Sequence, residues 1–328
     1  MKIEHVPRFH LADMNTPLEE MTRMRTKLGG PRLFMKRDDL IGLALGGNKI
    51  RKLEFLLGDA LSQGADTVIT CGGIQSNHCR LTAAAAVRAG LACELVLSGE
   101  PPELPNGNLL LDRLFGAHVH WCTREQRNAE MEKVADALRA EGHTPYVIPV
   151  GGSNSVGTVG YVLAMEEFVY QLREQQLKAD YVVVASSSGG TQAGLTLGAK
   201  VFGFDGKVLG ISIDQVKTGE TAFPPVLTRI ANTTAARLET NITPGEQDFL
   251  LNCDYLGAGY AIPGDLEREA IDMTSRMEGI LLGPVYTGRA MGGLLDLIRQ
   301  GFFQPDETVV FWHTGGTPEL FAYNHEFI

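Results

Sequence analysis

Apolar residues along this chain gather into short β-rich runs separated by longer amphipathic stretches. Strands are predicted at Thr67 to Cys71, Cys93 to Leu97, His118 to Trp121, Pro145 to Val150, Tyr181 to Ser186, Val208 to Ile213 and Thr308 to His313. Several, such as Tyr181-Val182-Val183-Val184, are near-continuous in valine, isoleucine and leucine, as in strands covered by helices on both faces. Between them the 3.6-residue period predicts helices at Lys52 to Ser62, Asn77 to Ala89, Gln126 to Glu141, Val159 to Gln176, Thr191 to Phe202, Asp265 to Met277 and Arg289 to Gln300. The alternation predicts an α/β fold with open, mostly parallel twisted sheets and helices on both faces.

A length of 328 residues with 44% hydrophobic content suits two ordinary domains with substantial cores. No repeat, low-complexity tract or Pro/Ser-rich linker marks a boundary. Residues 50–160 hold a complete set of βα units, whereas a Gly-Gly-Asn-Lys segment precedes them and a glycine-rich loop near residue 188 follows. If those two segments meet one ligand, 50–160 is a smaller inserted domain, 1–49 with 161–328 is the larger, and the cleft between them binds the ligand. A net charge of -10 without a Lys/Arg tract argues against nucleic-acid binding. Met1 to His10 lacks an apolar signal core and no apolar run reaches membrane-spanning length, so a cytoplasmic, membrane-free protein is expected. Five cysteines without CxxC spacing indicate neither a disulfide framework nor a zinc knuckle. His78 and His313 lack ligand spacing and read as structural, so no metal is expected.

The candidate chemistry lies in the glycine-rich segments. Lys49 stands between Gly46-Gly47-Asn48 and a helix start, where Arg51 and Lys52 supply the nearby positive charge that lowers an amine pKa, as a covalent lysine requires. Ser187-Ser188-Gly189-Gly190-Thr191 follows the strand ending at Ser186, and its small residues before a helix start suit an anion such as phosphate, although such junctions are also ordinary turns. It is neither a Walker loop nor GxGxxG. At the end of the strand Thr67 to Cys71, Gln75-Ser76-Asn77-His78 can contact a ligand, cap the following helix, or do both. Lys36-Arg37-Asp38-Asp39 reads as a structural ion-pair network beside the site.

Taken together, Lys36-Arg37-Asp38-Asp39, Gly46-Gly47-Asn48-Lys49 with Arg51-Lys52-Leu53-Glu54, Gln75-Ser76-Asn77-His78, Pro145-Tyr146-Val147-Ile148-Pro149 and the Tyr286 and Thr314 segments closely resemble the 1-aminocyclopropane-1-carboxylate (ACC) deaminase and D-cysteine desulfhydrase family. These are pyridoxal 5'-phosphate (PLP) enzymes with the tryptophan synthase β-subunit type of fold, and the resemblance runs from Thr16 to Tyr323. It implies that Lys49 carries PLP covalently and serves as base at the substrate α-carbon. It further implies that Ser188, Gly189, Gly190 and Thr191 bind the phosphate with help from Lys52, that Asn77 bonds the ring hydroxyl oxygen, and that Thr314 faces the pyridine nitrogen. Ser76 would contact the substrate carboxylate, Tyr260 and Tyr286 would act beside the substrate, and Gln75, Asn77 and Thr287 would complete its pocket.

ACC deaminases resemble one another in carrying Glu and Leu where this chain has Thr287 and Thr314. The Thr/Thr pair is similar to the desulfhydrase branch, implying α,β-elimination on D-cysteine to pyruvate, ammonia and sulfide. Asp254 to Gly257 and Gly279 to Leu282 also resemble L-cysteate sulfo-lyases, which release sulfite. ACC deamination, D-serine dehydration and racemisation are weaker alternatives. A homodimer is the assembly the resemblance suggests.

Overall fold

The computed structural model describes residues 1–214, 217–218 and 221–327. Its strands are β1 (Leu18–Glu20), β2 (Arg32–Arg37), β3 (Thr67–Gly73), β4 (Ala92–Ser98), β5 (His118–Cys122), β6 (Pro145–Val147), β7 (Tyr181–Ser186), β8 (Lys207–Ser212), β9 (Lys217–Thr218), β10 (Thr221–Ala222), β11 (Leu250–Asn252) and β12 (Thr308–His313). The α-helices are α1 (Thr22–Leu28), α2 (Lys49–Ser62), α3 (Asn77–Ala89), α4 (Gly107–Leu114), α5 (Arg127–Ala140), α6 (Val159–Glu174), α7 (Gly190–Phe202), α8 (Phe223–Arg237), α9 (Asp265–Glu278), α10 (Thr287–Arg299) and α11 (Glu319–Ala322).

Two larger sheets organise these elements, beside an antiparallel β9–β10 pair. One has six strands in the order β1-β2-β12-β7-β8-β11, parallel except for the β1–β2 pair. The other has four parallel strands in the order β5-β4-β3-β6. All strands of the four-stranded sheet fall within residues 50–160, and the six-stranded sheet takes its strands from both sides of that block. The continuous apolar run of β7 has the expected cause. Val183 packs with α9 and α10 residues such as Ile271 and Leu294, while Val182 and Val184 face Tyr161, Met165 and Phe168 of α6. Each such buried side chain contributes roughly 1.5–3 kcal/mol.

Several expectations are corrected. The strand predicted to continue from Pro145 to Val150 stops at Val147, because Pro149 has no N–H to donate and the chain enters a 3-10 turn over Val150–Gly152. Among the strands, β1, β2, β9, β10 and β11 were absent from the hydrophobic pattern. β2 is hidden by Lys36, which is fully buried with its ammonium bonded to the Thr16 carbonyl, Glu167 and Gln171. No helix among the described residues is long and apolar enough to cross a membrane.

β3 and β7 each have neighbours reached by opposite crossovers, and the C-terminal ends of both strands open onto the same space. Such switch points are where open α/β sheets bind ligands.

Candidate active site

Lys49 reaches its place through a constrained approach. A Cβ at Gly46, where φ is +70°, would lie 1.8 Å from the Asp39 carbonyl oxygen, so only glycine fits. Gly47 N–H then donates to the Asp38 carbonyl and Asn48 N–H to the Thr314 carbonyl. These bonds tie the start of α2 to β2 and to the end of β12. Lys49 therefore enters a cavity of about 580 Å³ between the two sheets.

Burial lowers the Lys49 pKa from 10.5 to about 8, and its amine has no hydrogen-bond partner among the described residues. A lowered amine pKa means the neutral, nucleophilic form predominates above about pH 8. In cofactor-free protein, acylation of Lys49 by an amine-selective reagent should therefore rise through pH 8, well below the 10.5 of an ordinary lysine, as read by peptide mapping.

Beside Lys49 the structure builds an anion cradle. Gly189, at φ +86°, caps α7, whose first amides face the cavity loop. Ser153 Oγ accepts from Gly190 N–H at 3.1 Å and bonds Ser188 Oγ at 2.8 Å. Lys52 Nζ donates from beneath to the Gly151 carbonyl and Ser153 Oγ, both at 3.0 Å. A Cβ on Gly190 would stand 2.7 Å from Ser153 Oγ and 2.8 Å from Lys52 Nζ, so the approach is kept open by glycine. Burial, then the charge of Lys49, drives the Lys52 pKa well down. Two adjacent lysines without an ion pair among the described residues, under free helix amides, form a donor set that fits a phosphate group.

The opposite wall comes from the end of β3 and the start of α3. Gln75, Ser76 and Asn77 line the cavity, and Ser76 Oγ also accepts from Cys79 N–H, so it caps α3 as well. Asn77 Nδ2 donates to Glu319 Oε1 at 2.5 Å while its Oδ1 accepts from Asn108 Nδ2 at 2.9 Å, which fixes the amide orientation. Glu319 is completely buried, and burial pushes its carboxyl up to about 8. Tyr260 and Tyr286 complete the wall with hydroxyls 2.5 Å apart. Burial raises both phenol pKa values, so both stay protonated.

Thus Lys49, Gln75, Ser76, Asn77, Ser188, Gly189, Thr191, Tyr260, Tyr286 and Thr314 share one cavity. Gly190 and Lys52 lie immediately behind the cradle. Thr287 departs from its expected substrate contact. It is fully buried away from the wall, its hydroxyl accepting from Gly283 N–H at 2.7 Å and lying 3.1 Å from the Gly315 carbonyl oxygen. It acts on the loops that carry Tyr286 and Thr314. His313 also stays out of the wall, bonding the Leu281 carbonyl and Gly315 N–H.

Sequence reasoning missed Asn48, Ser153, Glu319, Arg124 and Arg127. Asn48 donates to Thr191 Oγ1 at 3.1 Å, joining the lysine loop to the cradle. Arg124 and Arg127 line the cavity just past the end of β5. The strand-end rule that singled out Gln75 to Asn77 would have found them too.

The comparisons with known proteins agree with this geometry. The family described as pyridoxal-phosphate dependent enzyme matches residues 10–315. A crystal structure of an ACC deaminase homologue is 38% identical with a TM-score of 0.88, covering 99% of this chain and 96% of that one. An L-serine ammonia-lyase from Rhizomucor miehei, 15% identical, matches with a TM-score of 0.68 over 97% of each chain. A PLP-dependent aspartate racemase, 19% identical, matches at 0.64 over 92% of this chain and 90% of that one. The last two share the fold.

Proposed function

The chain belongs to the pyridoxal-phosphate-dependent enzymes, and from that premise we propose that it is an α,β-elimination lyase for a small amino acid, with D-cysteine as substrate and pyruvate, ammonia and sulfide as products. The observation that carries this reading is Lys49, an unpartnered amine of lowered pKa at the edge of an anion cradle. When bound, PLP supplies the electron sink that lets the α-carbon give up a proton.

The residues divide the remaining work. Ser188 to Thr191, with Lys52 below, hold the phosphate, and Asn77, oriented by Glu319 and Asn108, keeps a second N–H to offer the ring. Ser76 receives the substrate carboxylate and Lys49 takes the α-proton. Between Tyr260 and Tyr286 one phenolic hydrogen is shared, which leaves the other free to protonate a departing sulfur. Neither Thr287 nor Thr314 offers a carboxylate to a ring nitrogen, and a good β-leaving group suits that weaker electron withdrawal.

A second reading, L-cysteate with sulfite as product, is favoured by Arg124 and Arg127. Arg124 bonds Asp214 at 2.6 Å and lies over the Tyr260 ring at 5.0 Å. Arg127 uses Nε on the Arg124 carbonyl, and its terminal nitrogens have no hydrogen-bond partner among the described residues. They are free for a sulfonate.

The test is a panel of D-cysteine, L-cysteine, L-cysteate, D-serine and ACC, with sulfide, sulfite and keto acid measured separately. Sulfide from D-cysteine supports the first reading, and sulfite from L-cysteate without sulfide from D-cysteine replaces it with the second. Keto acid from ACC alone sinks both. Under the second reading, Arg127→Ala should raise the KM for L-cysteate about 10- to 100-fold, the equivalent of a hydrogen bond to a charged group.

A further inference from the structure

On the four-stranded sheet, away from the cavity, three side chains of metal-ligating type converge. Alternation along β5 places His118 and His120 on the same face, and the β4–β5 register sets Glu94 directly opposite His118. Glu94 Oε2 lies 2.8 Å from His118 Nδ1 and 2.6 Å from His120 Nε2, and the two imidazole centroids are 4.6 Å apart. All three donor atoms fall within 4.8 Å of one another. We propose that Glu94, His118 and His120 form a binding site for a divalent transition cation of the zinc class.

The chemistry of the three ligands selects that class. Two imidazoles and one carboxylate suit zinc, copper or nickel, whereas magnesium and calcium prefer all-oxygen shells. Ligand bonds of about 2.0–2.2 Å put tetrahedral neighbours about 3.3 Å apart, so Glu94 needs to part from each imidazole by only about half an ångström to admit the ion. The other ring nitrogens, His118 Nε2 and His120 Nδ1, have no protein partner among the described residues, which leaves each ring free to take the tautomer that coordination requires. Glu94 and His120 are mostly covered, with side-chain exposures of 13% and 24%, while His118 is 70% exposed. Two anchored ligands and one accessible ligand leave the outward position to water.

The placement gives the cation a structural role. β5 is the edge strand, and only β4 pairs with it. β4 ends at Ser98 and β5 runs toward Arg124 and Arg127, all three on the cavity wall. A cation bridging the starts of these parallel strands clips the edge strand that positions the two arginines. Because it binds only the paired strands, it stabilises the folded chain by mass action.

The experiment uses untagged, PLP-loaded, chelator-treated protein titrated with zinc chloride, with bound metal counted after equilibrium dialysis and the thermal midpoint followed in parallel. One zinc per chain and a raised midpoint are expected. His118→Asn, at the exposed ligand where folding is least at risk, should weaken zinc binding at least about 10-fold, and His120→Ala should do the same. Both should leave the bound-cofactor absorbance unchanged. Absence of zinc binding at micromolar metal overturns the proposal. So does unchanged stoichiometry and affinity in the His118→Asn/His120→Ala double variant, which would place the ion elsewhere.

Discussion

Replacing Lys49 by alanine is expected to remove the visible absorbance of bound cofactor and to lower turnover by at least about 10³-fold, since the proposed function makes the residue both the covalent anchor and the general base. Lys52 cannot take its place. Its side-chain nitrogen is held beneath the cradle by the Gly151 carbonyl and Ser153 Oγ, whereas the Lys49 amine is unpartnered in the cavity. Lys49→Arg separates charge from chemistry, because a guanidinium keeps the positive charge and stays protonated at every working pH. It should retain some cofactor affinity through the phosphate cradle while losing turnover as completely as the alanine variant. Lys52→Ala should do the reverse, weakening cofactor retention while the absorbance persists at saturating PLP. Should Lys49→Ala keep both the absorbance and full turnover, the assignment of the lysine, and the elimination mechanism built on it, would be wrong.

What the sequence showed and what it concealed follow from one physical difference. β7 and β12 were legible because both faces are buried in hydrocarbon, which leaves an unbroken apolar run. α3, α7 and α10 were legible within a few residues because their periodic faces begin beside glycine, serine or hydroxyl-rich turns. β2 was not, because the fold buries a lysine within it and satisfies that lysine with groups 20 to 135 residues away. The site divides the same way. Lys49, Ser76, Asn77 and the loop 188–191 sit at strand-to-helix junctions that local pattern can mark. Glu319 could not be marked, since its meaning comes from Asn77, 242 residues earlier in the chain, and from burial that no local pattern reports. Thr287 is the converse case. It occupies a motif position beside Tyr286, yet its hydroxyl is turned into the backbone of two loops and it does not line the cavity.

The buried network under the lysine loop should yield the largest loss of stability. Asp38 is completely buried and accepts from Arg51 Nη2 at 2.8 Å, Trp312 Nε1 at 2.8 Å, Tyr161 OH at 2.5 Å and Thr16 Oγ1 at 3.2 Å. Asp38→Ala strands all these donors and removes one of the two anions facing the Arg51 guanidinium, the other being Glu167. Breaking a buried pair from one side costs about 3–5 kcal/mol, which should appear as a lower denaturant midpoint followed by circular dichroism. Asp38→Asn keeps an acceptor and most of the volume and should cost less. Burial alone would raise the Asp38 pKa, but Arg51, Lys36 and the Trp312 N–H outweigh it and hold it below 3.8. A depressed carboxylate contributes stability above its unfolded pKa and loses it as pH falls through the folded value. The stability gap between wild type and Asp38→Asn should therefore be full at neutral pH and narrow only below about pH 3.8. Because the Asp38 side chain anchors the segment whose backbone carbonyl holds Gly47, Asp38→Ala should loosen that segment and raise the PLP concentration needed for saturation. Turnover of the folded, saturated variant should nevertheless survive far better than in Lys49→Ala, since the amine to which the proposed mechanism gives the chemistry is still present. Equal loss of turnover in the two variants would mean that the network sets the position of the reacting amine and does more than hold the fold.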